Sequence, residues 1–509
     1  MRIALEFSAD QGSVHRARLG YAFSLFCAIR GHHIVSNDET DSADVYLTYA
    51  TRHEYPKCKP LIRLSSLYRT RSIREQAPPP AKFERDGQET VLLYPPHPGA
   101  EPDWLAEIFE WVSCADEYSI QKRDSVGRID FRDSYAGRHG LDVGIPYAAV
   151  AMQFLQQTLS NSVPGQIVEP AFGFGEGTHF VINTHDVDIL PAGYFGSIQR
   201  LAKYALISLL VFKSPKLAAV QAGKVFSMAA GGTNPLDQTP NLLRKEMRND
   251  VGATYFFIPR RQHRRDANYG ITDPKVRKLM ESVKQQGMEV ALHGSYKSLD
   301  CRDGLASEFN CLREQELRPQ GNRQHWLRFT LEKLIPAVEL SGALYDSSIG
   351  WNHLGFRAGA CFPYPPYNFE YERPASFLEI PLVVMEQGLV TGGRPEERWF
   401  GDVARILSTS RRYGWGGVSI LWHPTAFGGG QLPMEIERVF WKLIEQKKQW
   451  NDTWTSCIDL VKAISDRYIN AGLLPRGYGS ECFSVESFAR PERIPESEMA
   501  IPGVQPQIN

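Results

Sequence analysis

Phe180-Val181-Ile182-Asn183-Thr184-His185-Asp186-Val187-Asp188 decides how the rest of the chain is read. Its apolar, β-branched start predicts a buried strand over Phe180 to Thr184. The strand runs into two carboxylates two residues apart, so both point to one side. Two such charges in a partly buried place repel, and desolvation raises one pKa sharply unless a cation sits between them. Downstream, further strand-like runs alternate with helical patterns: Ala253 to Ile258, Glu289 to His293, Gln324 to Phe329, Ala343 to Asp346, Phe377 to Val384 and Gly417 to Trp422. Asp273 to Gln286 and Phe329 to Leu340 are among the intervening helices. Alternation of this kind predicts a parallel sheet covered by helices, closed or nearly closed into a barrel, with chemistry at the strands' C-terminal ends.

Those ends converge on one chemistry. Asp186 and Asp188 follow the first strand, His293-Gly294-Ser295-Tyr296 the third, and His423 the seventh, while His325 lies in the fourth. A mixed set of imidazoles and carboxylates with room for water is the donor set of a hydrolytic metal site, in which the cation acidifies water and polarises a carbonyl.

Working outward, the chain has 509 residues, enough for two to four domains, and 57 basic against 58 acidic side chains. Such balance gives no global field for nucleic acid or an anionic membrane. Eight scattered cysteines without a CxxC suit a reducing compartment, and Met1 to Phe7 lacks the apolar core of a signal peptide, so a cytoplasmic protein is expected. Residues 1 to 115 read as a small α/β unit with a helix over His15 to Arg30 stopped by Gly31, and short strands at Ile3 to Phe7, His33 to Val35, Ala43 to Thr48 and Pro60 to Leu64. Arg74 to Glu89 reads as a loop or linker around Pro78-Pro79-Pro80. Residues 116 to 177 form a helical connector, with the next boundary in Pro164 to Gly177, and residues 473 to 509 an extended or disordered tail. Leu201 to Gly231 is a long insertion, too short and interrupted to span a bilayer, expected to pack over the barrel mouth; an interfacial helix is the alternative. The run Arg260-Arg261-Gln262-His263-Arg264-Arg265 lies near the rim, where it suits an anionic substrate group or a solvated loop.

From about 178 to 430 the chain resembles the polysaccharide deacetylases, the NodB-homology group or carbohydrate esterase family 4, which remove N- or O-acetyl groups from sugars. Four stretches carry the resemblance: Thr184-His185-Asp186-Val187-Asp188, Val290-Ala291-Leu292-His293-Gly294-Ser295, Arg357 with Phe362-Pro363-Tyr364, and Leu421-Trp422-His423. The resemblance implies an α/β fold, a distorted (β/α)7 barrel over 178 to 472, preceded by the smaller N-terminal domain. It implies Asp186 as general base, Asp188 and His293 as metal ligands, Arg357 as the group that orients the base, and His423 as general acid. Leu421, Tyr364 and Ser295 are implied at the substrate, and the substrate is a carbohydrate or sugar conjugate, with no nucleic acid. The family's second motif places another His four residues after the first, where this chain has Lys297. His325 is the expected replacement ligand, with Ser298 or water as the fallback. Glu379 is a candidate to orient His423. The ligand set suits zinc first, with cobalt, nickel or iron admitted by the same donors. Two other readings remain open here: hydrolysis of another linear or cyclic amide, and a non-catalytic glycan-binding protein with a degenerate metal site.

Overall fold

The computed structural model describes residues 1–8, 11–35, 42–49, 59–64, 74–97, 100–163, 179–191, 193–210, 213–232, 234–429 and 432–479. The expected boundary at Pro164 to Gly177 and the tail from 480 onward lie outside these residues.

The N-terminal residues build a parallel sheet from β1 (Arg2–Glu6), β2 (His33–Ile34), β3 (Val45–Thr48) and β4 (Leu61–Arg63) in the order β2-β1-β3-β4. The helix Ser13–Arg30 ends where Gly31 turns left-handed at φ 69° and donates its N–H to the Cys27 carbonyl, the stop that the glycine predicts. Arg74 to Glu89 departs from expectation. Ala81–Arg85 (β5) and Gln88–Leu92 (β6) pair antiparallel around Asp86-Gly87, both at positive φ. The Asp-Gly step is a hairpin turn signal that the neighbouring prolines obscure.

The second sheet holds every remaining long-range strand pairing among the described residues, and all of it is parallel. Its strands are β7 (His179–Val187), β8 (Thr254–Phe257), β9 (Glu289–Gly294), β10 (Gly321–Gln324) and β11 (Tyr345–Asp346). After a small hairpin, β12 (Tyr367–Asn368) with β13 (Arg373–Pro374), come β14 (Leu378–Glu379), β15 (Leu382–Met385), β16 (Gly416–Leu421) and β17 (Asp452–Thr455). The path runs β14-β11-β10-β9-β8-β7-β16-β15, and β17 pairs with the first half of β7. β14 and β15 are consecutive in sequence, separated by Ile380-Pro381, yet β14 pairs with β11 and β15 with β16. The sheet therefore curls until its two flanks meet at the single segment Leu378–Met385. Pro381 supplies no N–H, but its carbonyl accepts from Ser419 N at 2.8 Å, so the step keeps a bond to β16.

The fourth strand is displaced from expectation. Gln324 to Phe329 is not a strand: β10 is the polar run Gly321-Asn322-Arg323-Gln324, and His325–Leu327 is a tight turn with Trp326 at φ 62° and Leu327 at φ 50°. The aromatic and aliphatic residues after His325 imitate a strand. The real strand is fully buried without an apolar side chain because its donors are paired: Asn322 Nδ2 donates to Asp346 Oδ1 at 2.7 Å, and Gln324 Nε2 to the Ser295 carbonyl at 2.7 Å. Gly321 is required here, since a Cβ would lie 2.1 Å from the Tyr345 ring.

One hydrophobic core runs through both halves, including Phe26, Trp104, Val181, Leu292 and Trp422. Across the junction Arg18 pairs with Glu372 at 2.7 Å and Tyr21 Oη donates to the Pro365 carbonyl at 2.7 Å.

Candidate metal centre and active site

Asp186 and Asp188 leave the C-terminal end of β7, the strand gripped on one edge by β16 and on the other by β17 and β8. His293 leaves β9, two strands away, and His325 leads the turn that follows β10. His293 and His325 are almost fully buried. His293 Nε2 lies 3.3 Å from Asp188 Oδ1, His325 Nδ1 lies 3.4 Å from the same oxygen, and the two nitrogens are 3.0 Å apart.

The partners of the other ring nitrogens decide what this cluster is. His293 Nδ1 faces the Arg323 carbonyl at 2.7 Å, and His325 Nε2 faces the Arg265 carbonyl at 2.7 Å. A carbonyl only accepts, so each neutral imidazole spends its one N–H there. His293 Nε2 and His325 Nδ1 are then lone pairs facing each other, and Asp188 Oδ1 has no hydrogen-bond donor among the described residues. Three acceptors within 4.8 Å of one another could hold a cation. Tetrahedral zinc with bonds of about 2.1 Å separates its ligands by roughly 3.4 Å, close to the spacing here. The residues present fit a divalent metal.

The carboxylates facing these rings draw positive charge to the cluster. Burial would raise the Asp188 carboxyl, but His325, His293 and His423 hold it well below the usual carboxylate range. Burial pushes His325 down and wins, keeping it neutral; for His293 burial is outweighed by Asp186 and Asp188, which raise it.

Around the cluster stand an anchored carboxylate and an anchored imidazole. Asp186 Oδ1 accepts from Arg323 Nη1 at 3.1 Å. Arg323 is completely buried and spends its other donors on Thr184 Oγ1, the Ser347 carbonyl, Ser347 Oγ and Ser419 Oγ, with its guanidinium 4.6 Å over the Phe256 ring. His423 Nε2 lies 3.5 Å from Asp188 Oδ2, while its Nδ1 is 2.6 Å from Glu386 Oε1. Burial alone would lower His423, but Glu386, then Asp188 and Asp186, raise it to about 10.

Several expected roles fall to other residues. Arg357 does not reach Asp186: its Nε and Nη2 donate to the two oxygens of Glu117 at 2.8 and 2.7 Å, between the rings of Phe329 and Trp351. Arg323, in the strand that sequence misplaces, holds Asp186 instead. Glu379 does not orient His423. It accepts from Ile349 N at 2.7 Å and lies against Asp346, and burial with that second carboxyl pushes its pKa well up. Glu386, one residue after β15, takes the position. Ser295 is fully buried and its hydroxyl bonds Glu308 Oε1, so it has no free reach to a substrate. Tyr364 is fully buried in a backbone pairing with Glu379, and Leu421 is fully buried at the end of β16. Lys297 is exposed, and Ser298 Oγ is bonded to the Ser295 carbonyl and Gln324, so neither joins the cluster.

No family model matches the chain, and no curated protein sequence matches it. Solved structures resemble it over about half its length. One is a peptidoglycan N-acetylglucosamine deacetylase, at 14% identity and TM-score 0.29, matching 55% of this chain and 86% of that one. Another is a polysaccharide deacetylase from Bacillus cereus, at 11% identity and TM-score 0.28, matching 55% and 91%. A third is a family 4 carbohydrate esterase from Streptomyces lividans, at 14% identity and TM-score 0.26, matching 52% and 90%.

Proposed function

We propose that the chain is a metal-dependent hydrolase that removes an acetyl group from an N-acetylated sugar or glycan precursor, on a sheet read as a distorted (β/α)7 barrel. What carries the reading is the convergence of three lone pairs, from Asp188, His293 and His325, between an arginine-held carboxylate and a carboxylate-held imidazole. Asp188, His293 and His325 would hold the divalent ion, zinc first by donor type. Bound there, such an ion supplies Lewis acidity to the acetyl carbonyl and acidifies water.

The chain's own groups do the proton work. Arg323 donates to Asp186 Oδ1 and fixes it, which leaves Oδ2 to take a proton from water as its oxygen bonds the acetyl carbon. His423 gives the proton from Nε2 to the departing nitrogen as the C–N bond breaks, releasing acetate and an amine. Glu386 holds the other nitrogen protonated, so the acid presents the correct face. Trp326, 43% exposed and adjacent to His325, offers an aromatic face on which a sugar ring packs.

The test is elemental analysis of purified protein, as wild type and as His325→Ala, beside acetate release from a panel of N-acetylated sugars. About one tightly held metal, lost in the variant, together with acetate release, is expected. A protein that takes up no metal and releases no acetate sinks the proposal.

A further inference from the structure

The insertion that follows Asp188 has a charge pattern unlike the rest of the chain. Between Ile189 and Leu236 there is no Asp or Glu, against five cations, Arg200, Lys203, Lys213, Lys216 and Lys224, in a protein whose net charge is −1. The segment folds as two packed helices, Gly193–Leu210 and Pro215–Ala229, around a small core of their own that includes Leu201, Tyr204 and Met228. Their outward faces are apolar. Phe195 is 78% exposed, Leu210 65%, Leu206 55% and Phe226 74%. On the first helix Phe195, Ala202, Leu206 and Leu209 with Leu210 recur at helical spacing, one stripe facing outward with Lys203 at its margin. Val220 and Phe226 are exposed on the second.

The hairpin stands at the mouth of the site. It begins five residues after Asp188, and Gln221 Nε2 donates to the Gly429 carbonyl, in the turn that follows His423, at 3.2 Å. No described helix is long and apolar enough to cross a membrane. An exposed apolar stripe flanked by cations, with no carboxylate to repel phosphate, is the make-up of a helix lying in the headgroup plane of an anionic bilayer.

We propose that the helices Gly193–Leu210 and Pro215–Ala229 dock this protein on the surface of an anionic lipid bilayer and turn the Asp188 mouth toward it. Resting on the hydrolase reading above, the substrate is then an acetylated sugar joined to a membrane lipid. The partner is the bilayer itself, chosen by charge complementarity over a second copy of the chain, which would bring like charges together.

Vesicle co-sedimentation of the full chain tests the docking without any chemistry. Binding is expected to vesicles of phosphatidylcholine with phosphatidylglycerol, not to phosphatidylcholine alone, and to weaken as salt rises. Lys203→Gln and Lys216→Gln each weaken it about fivefold, and Phe195→Ser with Leu206→Ser abolishes it while the melting curve is unchanged. Failure of the wild type to bind either vesicle, binding that the serine variant retains, or a dimer in solution that this variant makes monomeric overturns the proposal. Asp188→Asn is expected to bind vesicles like wild type, so loss of metal or acetate release leaves the docking result standing. If docking holds and acetate is released equally from soluble and lipid-joined sugars, the substrate clause alone falls.

Discussion

Glu386→Gln is the substitution that most directly questions the proton path. It keeps the side chain's shape and removes its charge. In the structure Glu386 is completely buried, its Oε1 lies 2.6 Å from His423 Nδ1 and 3.3 Å from His423 N, and its Oε2 has no partner among the described residues. A hydrogen bond to a charged group is worth about 1.5–3 kcal/mol against about 1 for a neutral one. The difference of about 1–2 kcal/mol corresponds to roughly one pKa unit, so the His423 imidazolium should fall by about that much from about 10. A second effect is larger. A glutamine amide can donate to Nδ1, which moves the ring proton to Nε2 in the neutral form and opposes the imidazolium that serves as the acid. Loss of an orienting carboxylate beside a catalytic histidine costs on the order of 10²–10⁴ in kcat. The assay pairs acetate release with the imidazole nitrogen resonances of His423, assigned by comparison with His423→Gln. Metal content should stay at the wild-type value, because Glu386 touches no proposed ligand. Turnover within about threefold of wild type, with an unshifted His423, would refute the role assigned to Glu386.

Other outcomes follow from the same geometry. Arg323→Met strands Asp186 as a buried carboxylate and should cost about 3–5 kcal/mol in denaturant unfolding; Arg357→Met strands Glu117 at similar cost but leaves acetate release per folded molecule far higher, and equal losses would return Arg357 to the site. Burial pushes the Glu289 carboxyl up to about 7, against hydrogen bonds from Thr254, Tyr345 and Ile458 N that lower it. Because its folded pKa lies above its unfolded value, the stability it contributes is complete below about pH 4.5 and is lost as pH rises through 7, about 3 kcal/mol at most. Melting temperature should therefore fall between pH 5 and 8, and Glu289→Gln should flatten that slope; an unchanged slope removes Glu289 as its source. Gly321→Ala forces a methyl into the Tyr345 ring and should cost about 1–3 kcal/mol, part of it recovered by Tyr345→Leu in the same chain; a neutral melt would show that the ring simply moves aside.

The reading of the sequence reached the carboxylates and histidines because they follow strands that announce themselves. Val181, Ile182 and the apolar run around Ala291 and Leu292 are ordinary buried-strand signals, and the residues after them come into the site by topology alone. β10 was invisible for the opposite reason. Gly-Asn-Arg-Gln is buried by hydrogen bonding rather than by hydrophobicity, so a pattern search slides onto Trp326-Leu327 and loses Arg323. The partners of charged groups were equally hidden. Glu379 lies inside a recognisable strand and attracts the role, whereas Glu386 opens a helix directly after β15, five residues beyond the strand break at Pro381, and only the pairing of β15 with β16 brings it under His423. Arg357 and Glu117 are 240 positions apart, a distance across which spacing carries no information. Asp130, Asp124 and the other anchors of the loop between 120 and 134 gave no chemical signal, and the structure uses them to hold turns.

His325, directly after β10, is the proposed ligand whose strand gives way at once to a tight turn. It opens a turn whose next two residues are left-handed, a conformation that costs non-glycine residues about 1–2 kcal/mol each. The turn is retained by contacts to a different loop, where the Arg265 carbonyl receives both His325 Nε2 and Trp326 Nε1. The coordination sphere is therefore assembled from two rigid walls and one spring-loaded latch. An ion entering or leaving should pass on the latch side, and chelation should quicken hydrogen exchange first in residues 325–328 and 262–266, well before β7 or β9 responds.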